Sequence, residues 1–305
     1  MQTQGKNMTA TAVDDQIYTG QQSTSTMVPS SWPGICLAEL NAKAAMQTRV
    51  DRKYIVEGRY AAEILSALPG EASVLEIDGE RHFAYKSVYF DTENLDSYRL
   101  AATGRRNRYK IRTRSYLDTG ATFLEVKTEG ARAVTVKERI PYPSNDRAYL
   151  NAAGRDYVEE SLRGLIETPV TAFEPVLTTS YRRTTVLLPA SENNPVDSRM
   201  TIDTNLTWTP MSEQALARAS MYEVGTDYTA AGMVIIETKS GSSPSIADRH
   251  LWRAGVRPSK ISKFATGLAA LNPDLVSNKW NRTIARNIYL QPVETPARFE
   301  VLARW

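Results

Sequence analysis

Residues 108–114 read RYKIRTR, so Arg108, Lys110, Arg112 and Arg114 alternate with Tyr109, Ile111 and Thr113. In a β-strand successive side chains point to opposite faces, which puts the four cations on one side, about 7 Å apart along it. Like charges side by side are unfavourable, and a face that only meets water mixes signs and uses neutral polar residues. The row therefore implies something negative opposite it.

The neighbouring sequence supplies more strands. Runs at 107–116, 122–128 and 133–140 are joined by LDTG and TEGAR, whose Asp and Gly suit hairpin turns, so the three form an antiparallel meander. Further strands are expected at RVDRKYIV, at YKSVYFDT, and at 176–188, 199–207 and 233–239. Helices are expected at 36–47, at 58–70 with a Pro-Gly stop, from Asp91 or Thr92 through DTENLDSYRLAA, at 147–165, and near 244–254 and 261–271. Residues 1–33, rich in Ser, Thr, Gln and Gly, read as a disordered tail, 34–280 as one domain, and 281–305 as an irregular C-terminal tail.

The same alternation separates every strand into two chemistries. One parity carries Arg49, Asp51, Lys53, Arg108, Lys110, Arg112, Arg114, Glu125, Lys127, Lys137, Arg139, Arg183, Arg199, Asp203, Glu237 and Lys239. The other is mostly apolar: Val50, Ile111, Leu124, Val126, Val134, Val136, Ile140, Met200, Ile202, Leu206, Val234 and Ile236. Amphipathic helices can cover the apolar side. On the charged side cations far outnumber carboxylates, although the whole chain has 37 Lys plus Arg against 34 Asp plus Glu, a formal charge of +3. Two cations about 6 Å apart repel by roughly 3 kcal/mol at an effective dielectric of 20, so such a face is costly until an anion neutralises it. The planar fork of Arg suits phosphate oxygens.

Carboxylates among those cations separate the pattern from a nucleic-acid groove, since a divalent metal bridging phosphate oxygens needs acidic ligands. Glu125 and Glu237 each precede a lysine by two positions, in LEVK and IETK, and cross-strand salt bridges would explain them as well. SKISKF, residues 259–264, adds Lys260 and Lys263 at an expected helix start capped by Ser259 or Ser262, where phosphate is favoured. No Gly-rich phosphate loop, spaced His pair or multi-cysteine zinc pattern occurs, and Cys36 is the only cysteine. Short apolar runs argue against a membrane span, and the lone cysteine fits a reducing, cytoplasmic setting.

Assembled in order, RVDRKYIV, SVYFDTENLDSY, GRRNRYKIRTRSY, FLEVKTEG, TVKERI, TSYRRTTV, SRMTIDTNL, VIIETKS and RPSKISKF resemble the vacuolar transporter chaperone (VTC) domain family, within the triphosphate tunnel metalloenzymes. The resemblance implies an α+β fold: an eight-stranded antiparallel β-barrel, the triphosphate tunnel, with helices packed outside. It implies a phosphotransferase that moves the γ-phosphoryl group of ATP onto inorganic polyphosphate with Mn²⁺ or Mg²⁺. By motif, Arg112, Arg114, Lys137, Arg139, Arg183 and Glu237 are the catalytic candidates. Lys53, Arg108, Lys110, Lys127, Arg199, Lys239, Lys260 and Lys263 are the substrate-binding ones. Glu237 is the principal metal ligand, with Glu125 and Asp203 further candidates. RVDRK departs from the alternating glutamates of hydrolytic tunnel enzymes, which favours the polymerase branch, while a triphosphatase and a non-catalytic polyphosphate-binding module stay open. ATP and polyphosphate are the expected partners, with a separate membrane protein as a candidate; neither nucleic acid nor direct membrane insertion is expected. If the charged parity is a phosphate site, tripolyphosphate at a hundredfold excess over its dissociation constant should stabilise the fold by about 2.7 kcal/mol. An unchanged melting temperature would return the row to a solvated surface.

Overall fold

The computed structural model describes residues 27–43, 50–68, 71–129, 135–190 and 195–293. In chain order these form β1 (Gly34–Ile35), α1 (Leu37–Lys43), β2 (Val50–Glu57), α2 (Gly58–Ser66), β3 (Ser73–Leu75), β4 (Phe83–Asp91), α3 (Asp96–Thr103), β5 (Arg108–Tyr116), β6 (Ala121–Glu129) and β7 (Thr135–Pro141). Then come α4 (Ala152–Leu162), β8 (Glu174–Leu188), β9 (Ser198–Pro210), β10 (Tyr228–Ala230), β11 (Met233–Ser240), α5 (Ile246–Arg253), α6 (Lys263–Leu271), α7 (Asn281–Asn287) and β12 (Leu290–Pro292).

The protein is α+β, built on one large and almost wholly antiparallel sheet. Its main path runs β2-β11-β9-β8-β4-β5-β6-β7. Two short branches leave it: β10 and β12 continue beyond β11 along β9, and β3, paired in parallel with β1, continues beyond β4 along β8. The main path has the eight strands expected, but among the described residues no ladder joins β2 to β7, so closure into the expected barrel is not seen. The sheet is nonetheless curved enough that Lys127 on β6 interacts with Lys53 and Asp51 on β2. Closure needs a long-range backbone register that strand parity does not encode.

Alternation places the apolar parity on the convex side. Tyr54, Val56, Val186, Met200, Ile202, Val234 and Ile236 pack beneath α2 and α5, and Val88, Phe90, Ile111, Leu124 and Val126 beneath α4. Only the ends of that parity stay wet, Val50 and Val136 being exposed, while Arg49 and Val134 lie outside the described residues. Leu206 departs from the expectation by packing on the concave side with Trp208. Its cause is Asn205, at φ 52°: three β9 steps from Thr204 to Thr207 oppose two β8 steps from Arg182 to Ser180. This bulge reverses the parity of the strand beyond it. Asn tolerates the left-handed conformation better than most residues.

The bulge divides the concave side. Toward one end α6 lies over Trp208, Leu206, Tyr181, Tyr89 and Ile235 as an apolar plug; toward the other, Leu40 of α1 packs on Leu187 and Phe83. Other corrections concern edges. Asp91 and Thr92 cap α3 from outside it: buried Asp91 accepts from the Ser97 and Tyr98 amides and Thr92 Oγ1 from that of Asp96, so the helix begins at Asp96. The segment 281–293 is no irregular tail, since α7 and β12 bring Ile284, Ile288 and Leu290 onto the concave core. Within the expected 1–33 tail, residues 1–26 lie outside the described residues, while Val28 is buried among the convex core residues. The lone Cys36 is exposed.

Gly267 sets the height of α6 above the sheet. A Cβ there would stand 2.2 Å from Trp208 Cδ1. Helix propensity alone favours Gly267→Ala by about 1 kcal/mol. The collision should win, giving a net destabilisation of about 1–3 kcal/mol, read as a lower urea midpoint; a raised midpoint would show that α6 is free to lift.

Candidate functional site

The charged parity gathers on the concave side around buried carboxylates. Glu125 on β6, 2% exposed, receives Arg112 at 2.7 Å, Lys137 at 3.0 Å and Arg114 at 3.5 Å, drawing β5 and β7 onto β6. Asp203 on β9 is fully buried and takes both arms of the Arg183 guanidinium at 2.6 and 2.8 Å, together with the Lys263 ammonium from the first residue of α6. Glu237 on β11 lies between Lys53 at 3.4 Å and Lys239 at 3.5 Å. Burial alone would raise these acids. For Asp203, Arg183 and Lys263 outweigh it and hold the carboxyl at about 2. Lys239 and Lys53, with Arg183 and Lys263, hold Glu237 at about 2. Burial also pushes Glu125 up, yet Arg112 and Lys137 bring it below its ordinary value. All three are carboxylates at neutral pH.

Beside these clusters opens a cavity of about 330 Å³ between β2 on one side and β5 and β6 on the other. Lys53, Arg108, Lys110, Lys127, Lys260 and Lys279 line it, with Asp51 and Glu129. Arg108 pairs with Glu129. The Lys110 ammonium donates to Ser262 Oγ at 3.1 Å and stands 5.2 Å over the Phe264 ring. Ser262 is also the N-cap of α6, accepting from the Ala265 amide, so one hydroxyl ties the helix start to the basic strand. Ser259, the other expected cap, instead donates its amide to the Lys53 carbonyl. Lys260 therefore sits on the loop before the helix, within the cavity wall.

Most of the expected residues are thus brought together. Arg139, the ladder partner of Glu125, holds its guanidinium 4.6 Å over the Phe123 ring, and Arg199 reaches the far end, where it donates to Asn41 on α1 at 3.1 Å. Four further features escaped the parity reading. Glu129 continues the parity of Glu125 and Lys127 and lies one residue beyond the expected strand end at 128. Tyr85 and Tyr181 stack at 5.3 Å, with Arg183 over both rings and Lys263 4.5 Å over Tyr181, so the cations have an aromatic floor. Ser87 Oγ, Arg114 Nε and Thr201 Oγ1 are buried on the concave side with no hydrogen-bond partner among the described residues. Lys279, from beyond the last expected helix, carried no local signal.

A divalent metal is implied by the resemblance, and the donor set decides where it fits. No group of three or more His, Cys, Asp or Glu suited to a metal occurs among the described residues. Glu125 and Asp203 are closely occupied by cations, whereas the ion contacts of Glu237 are the longest of the three acids. Of the three, Glu237 is the acid that would hold a divalent cation, as a single carboxylate can when substrate and water supply the remaining oxygens.

Fold and site together define an α+β protein whose antiparallel sheet cups a cation-rich cavity braced by buried carboxylates. The VTC domain family model matches residues 48–272, and the chain belongs to that family. No curated protein matches the chain. Among solved structures, a candidate adenylate cyclase from Vibrio parahaemolyticus is 13% identical, with 73% of this chain and 98% of that one covered at a TM-score of 0.38. A candidate adenylyl cyclase from Hippeastrum, credited with a dominant triphosphatase activity, is 12% identical over 72% and 95%, at 0.41. The PH1819 protein of Pyrococcus horikoshii is 14% identical over 70% and 91%, at 0.36. Likeness at that level is too distant to carry an assignment. No helix among the described residues is long and apolar enough to cross a membrane.

Lys110 gives the site a pH signature. Burial, then Arg112, Lys127, Lys53 and Lys279, lower its ammonium to about 7. The unfolded chain keeps that proton to about 10.5, so Lys110 costs stability below pH 7 and the cost fades as pH rises above it. A bound polyanion reverses the shift by favouring the charged form. Tripolyphosphate binding at pH 8 should therefore take up protons, measured calorimetrically in buffers of different ionisation enthalpy, and its affinity should fall between pH 7 and 9. Equal uptake by Lys110→Met would assign the proton elsewhere.

Proposed function

We propose that the chain is a metal-dependent polyphosphate polymerase, transferring the γ-phosphoryl group of ATP to the end of a growing inorganic polyphosphate. The observation that carries this reading is the concave face itself: fixed guanidinium and ammonium groups, pre-gathered by three ionised and largely buried carboxylates, adjoin a basic cavity. Phosphoryl transfer demands little covalent chemistry from a protein. It needs in-line positioning and neutralisation of oxygen charge.

In this reading Arg112, Arg114 and Lys137 bind the phosphates of ATP, assisted by Arg139 and Arg183, and Lys263 holds the plug side of the site. Lys53, Lys110, Lys127 and Lys260 bind the acceptor chain, with Arg108, Arg199 and Lys239 extending the positive surface. A terminal oxygen of the acceptor attacks the γ-phosphorus as the bond to the β–γ bridging oxygen breaks. ADP leaves and the polymer is one phosphate longer. Glu237 is the residue that would hold Mn²⁺ or Mg²⁺, which when bound spreads the negative charge of the phosphate oxygens. Ser87 Oγ, Arg114 Nε and Thr201 Oγ1, buried with no hydrogen-bond partner among the described residues, fit the same reading, because unpaired buried polar groups are expensive without a ligand. A cytoplasmic setting and a separate membrane protein to receive the product belong to this proposal.

Purified protein given ATP and Mn²⁺ should form an acid-stable ladder on a gel, and Glu237→Gln should abolish it. Arg112→Ala should lower kcat by about 10²-fold or more, the scale of one lost charge-stabilising donor, while the protein stays folded. Orthophosphate released without a ladder would make the protein a triphosphatase. Binding without turnover under any metal would make it a polyphosphate-binding module.

A further inference from the structure

The cavity is completed by a piece of chain that the VTC family model does not cover. The match ends at residue 272, and the following segment crosses back over the concave side before entering α7. It is firmly seated: Trp280 is 3% exposed and packs 5.9 Å from the Tyr98 ring, Tyr98 donates its hydroxyl to the Val276 carbonyl, and Thr283 of α7 donates to the Lys260 carbonyl at 3.3 Å. Trp280 and Lys279 both line the cavity. The Lys279 ammonium is fixed by the Ala101 carbonyl at 3.2 Å, at the end of α3, and by the Trp280 ring at 5.5 Å.

From this placement we infer that Lys279 is a further binding residue for the phosphate chain, holding the stretch that lies at the mouth of the cavity. The inference rests on the proposed reading of the cavity as a phosphate-chain site. Its physical basis is the company Lys279 keeps: Arg108, Lys110, Lys127 and Lys260 line the same small space, and an additional ammonium there is unfavourable until an anion enters. Burial, Arg108 and Lys260 lower the Lys279 ammonium from its ordinary value, Glu129 only partly offsetting them. Lys279 is itself exposed at the cavity rim, and the buried Trp280 beside it anchors the segment that presents it there.

The test compares tripolyphosphate with long-chain polyphosphate by titration calorimetry for wild type, Lys279→Ala and Lys279→Arg, each shown to be folded by its melting curve. Lys279→Ala should weaken the long chain about tenfold, as expected for one charge-assisted hydrogen bond, and leave tripolyphosphate within about twofold. Lys279→Arg should restore the long chain. Wild-type affinity for the long chain in Lys279→Ala, or equal loss of both ligands, would overturn the inference while leaving the cavity reading intact. Failure of the wild type to bind either anion would overturn both.

Discussion

The structure depends on keeping like charges together without a ligand, and it does so by burying acids among them. Glu125, Asp203 and Glu237 are each placed where burial opposes ionisation, and each is ionised because two or more cations outweigh that cost. The converse holds equally: those cations stay inside because the acids are there. Removing one partner of such a cluster leaves an uncompensated charge, which costs far more than a surface ion pair contributes. The three acids sit on three different strands, β6, β9 and β11, and each draws in cations from a directly paired neighbour: β5 and β7, β8, and β2. The Lys263 contact extends this pairing to α6, tying the position of the plug to the charge balance of the site.

A second constraint is steric. Asn205 and Gly267 act on the same region from opposite sides. The first turns Leu206 and Trp208 inward, and the second lets α6 settle directly upon the Trp208 ring, whose indole N–H then donates to the Lys263 carbonyl at 2.7 Å. The charged surface and the apolar plug thus share one concave face without either invading the other. The aromatic floor beneath Arg183 and Lys263 softens the boundary, because tyrosine rings offer apolar bulk and a negative π-face at once.

Much of this was legible because strand alternation is local. Arg112 and Glu125 could be assigned to one face from their parity alone, and the ladder pairs them directly across neighbouring strands. Resemblance added what parity cannot, the grouping of separate strands around one cavity. Three things stayed hidden. A single Asn in the left-handed region reverses a strand's parity without disturbing its composition, so alternation alone puts Leu206 on the wrong side. Asp91 and Thr92 have capping chemistry, which suggests a helix beginning at them, yet they cap α3 from the preceding strand end. Lys279 reaches the site only through the packing of Trp280, a tertiary effect with no periodic signature.

The hydroxyl of Ser262 has a mechanical consequence. One oxygen holds both the Ala265 amide at the start of α6 and the Lys110 ammonium on β5, so a displacement of that lysine is felt at the first turn of the helix.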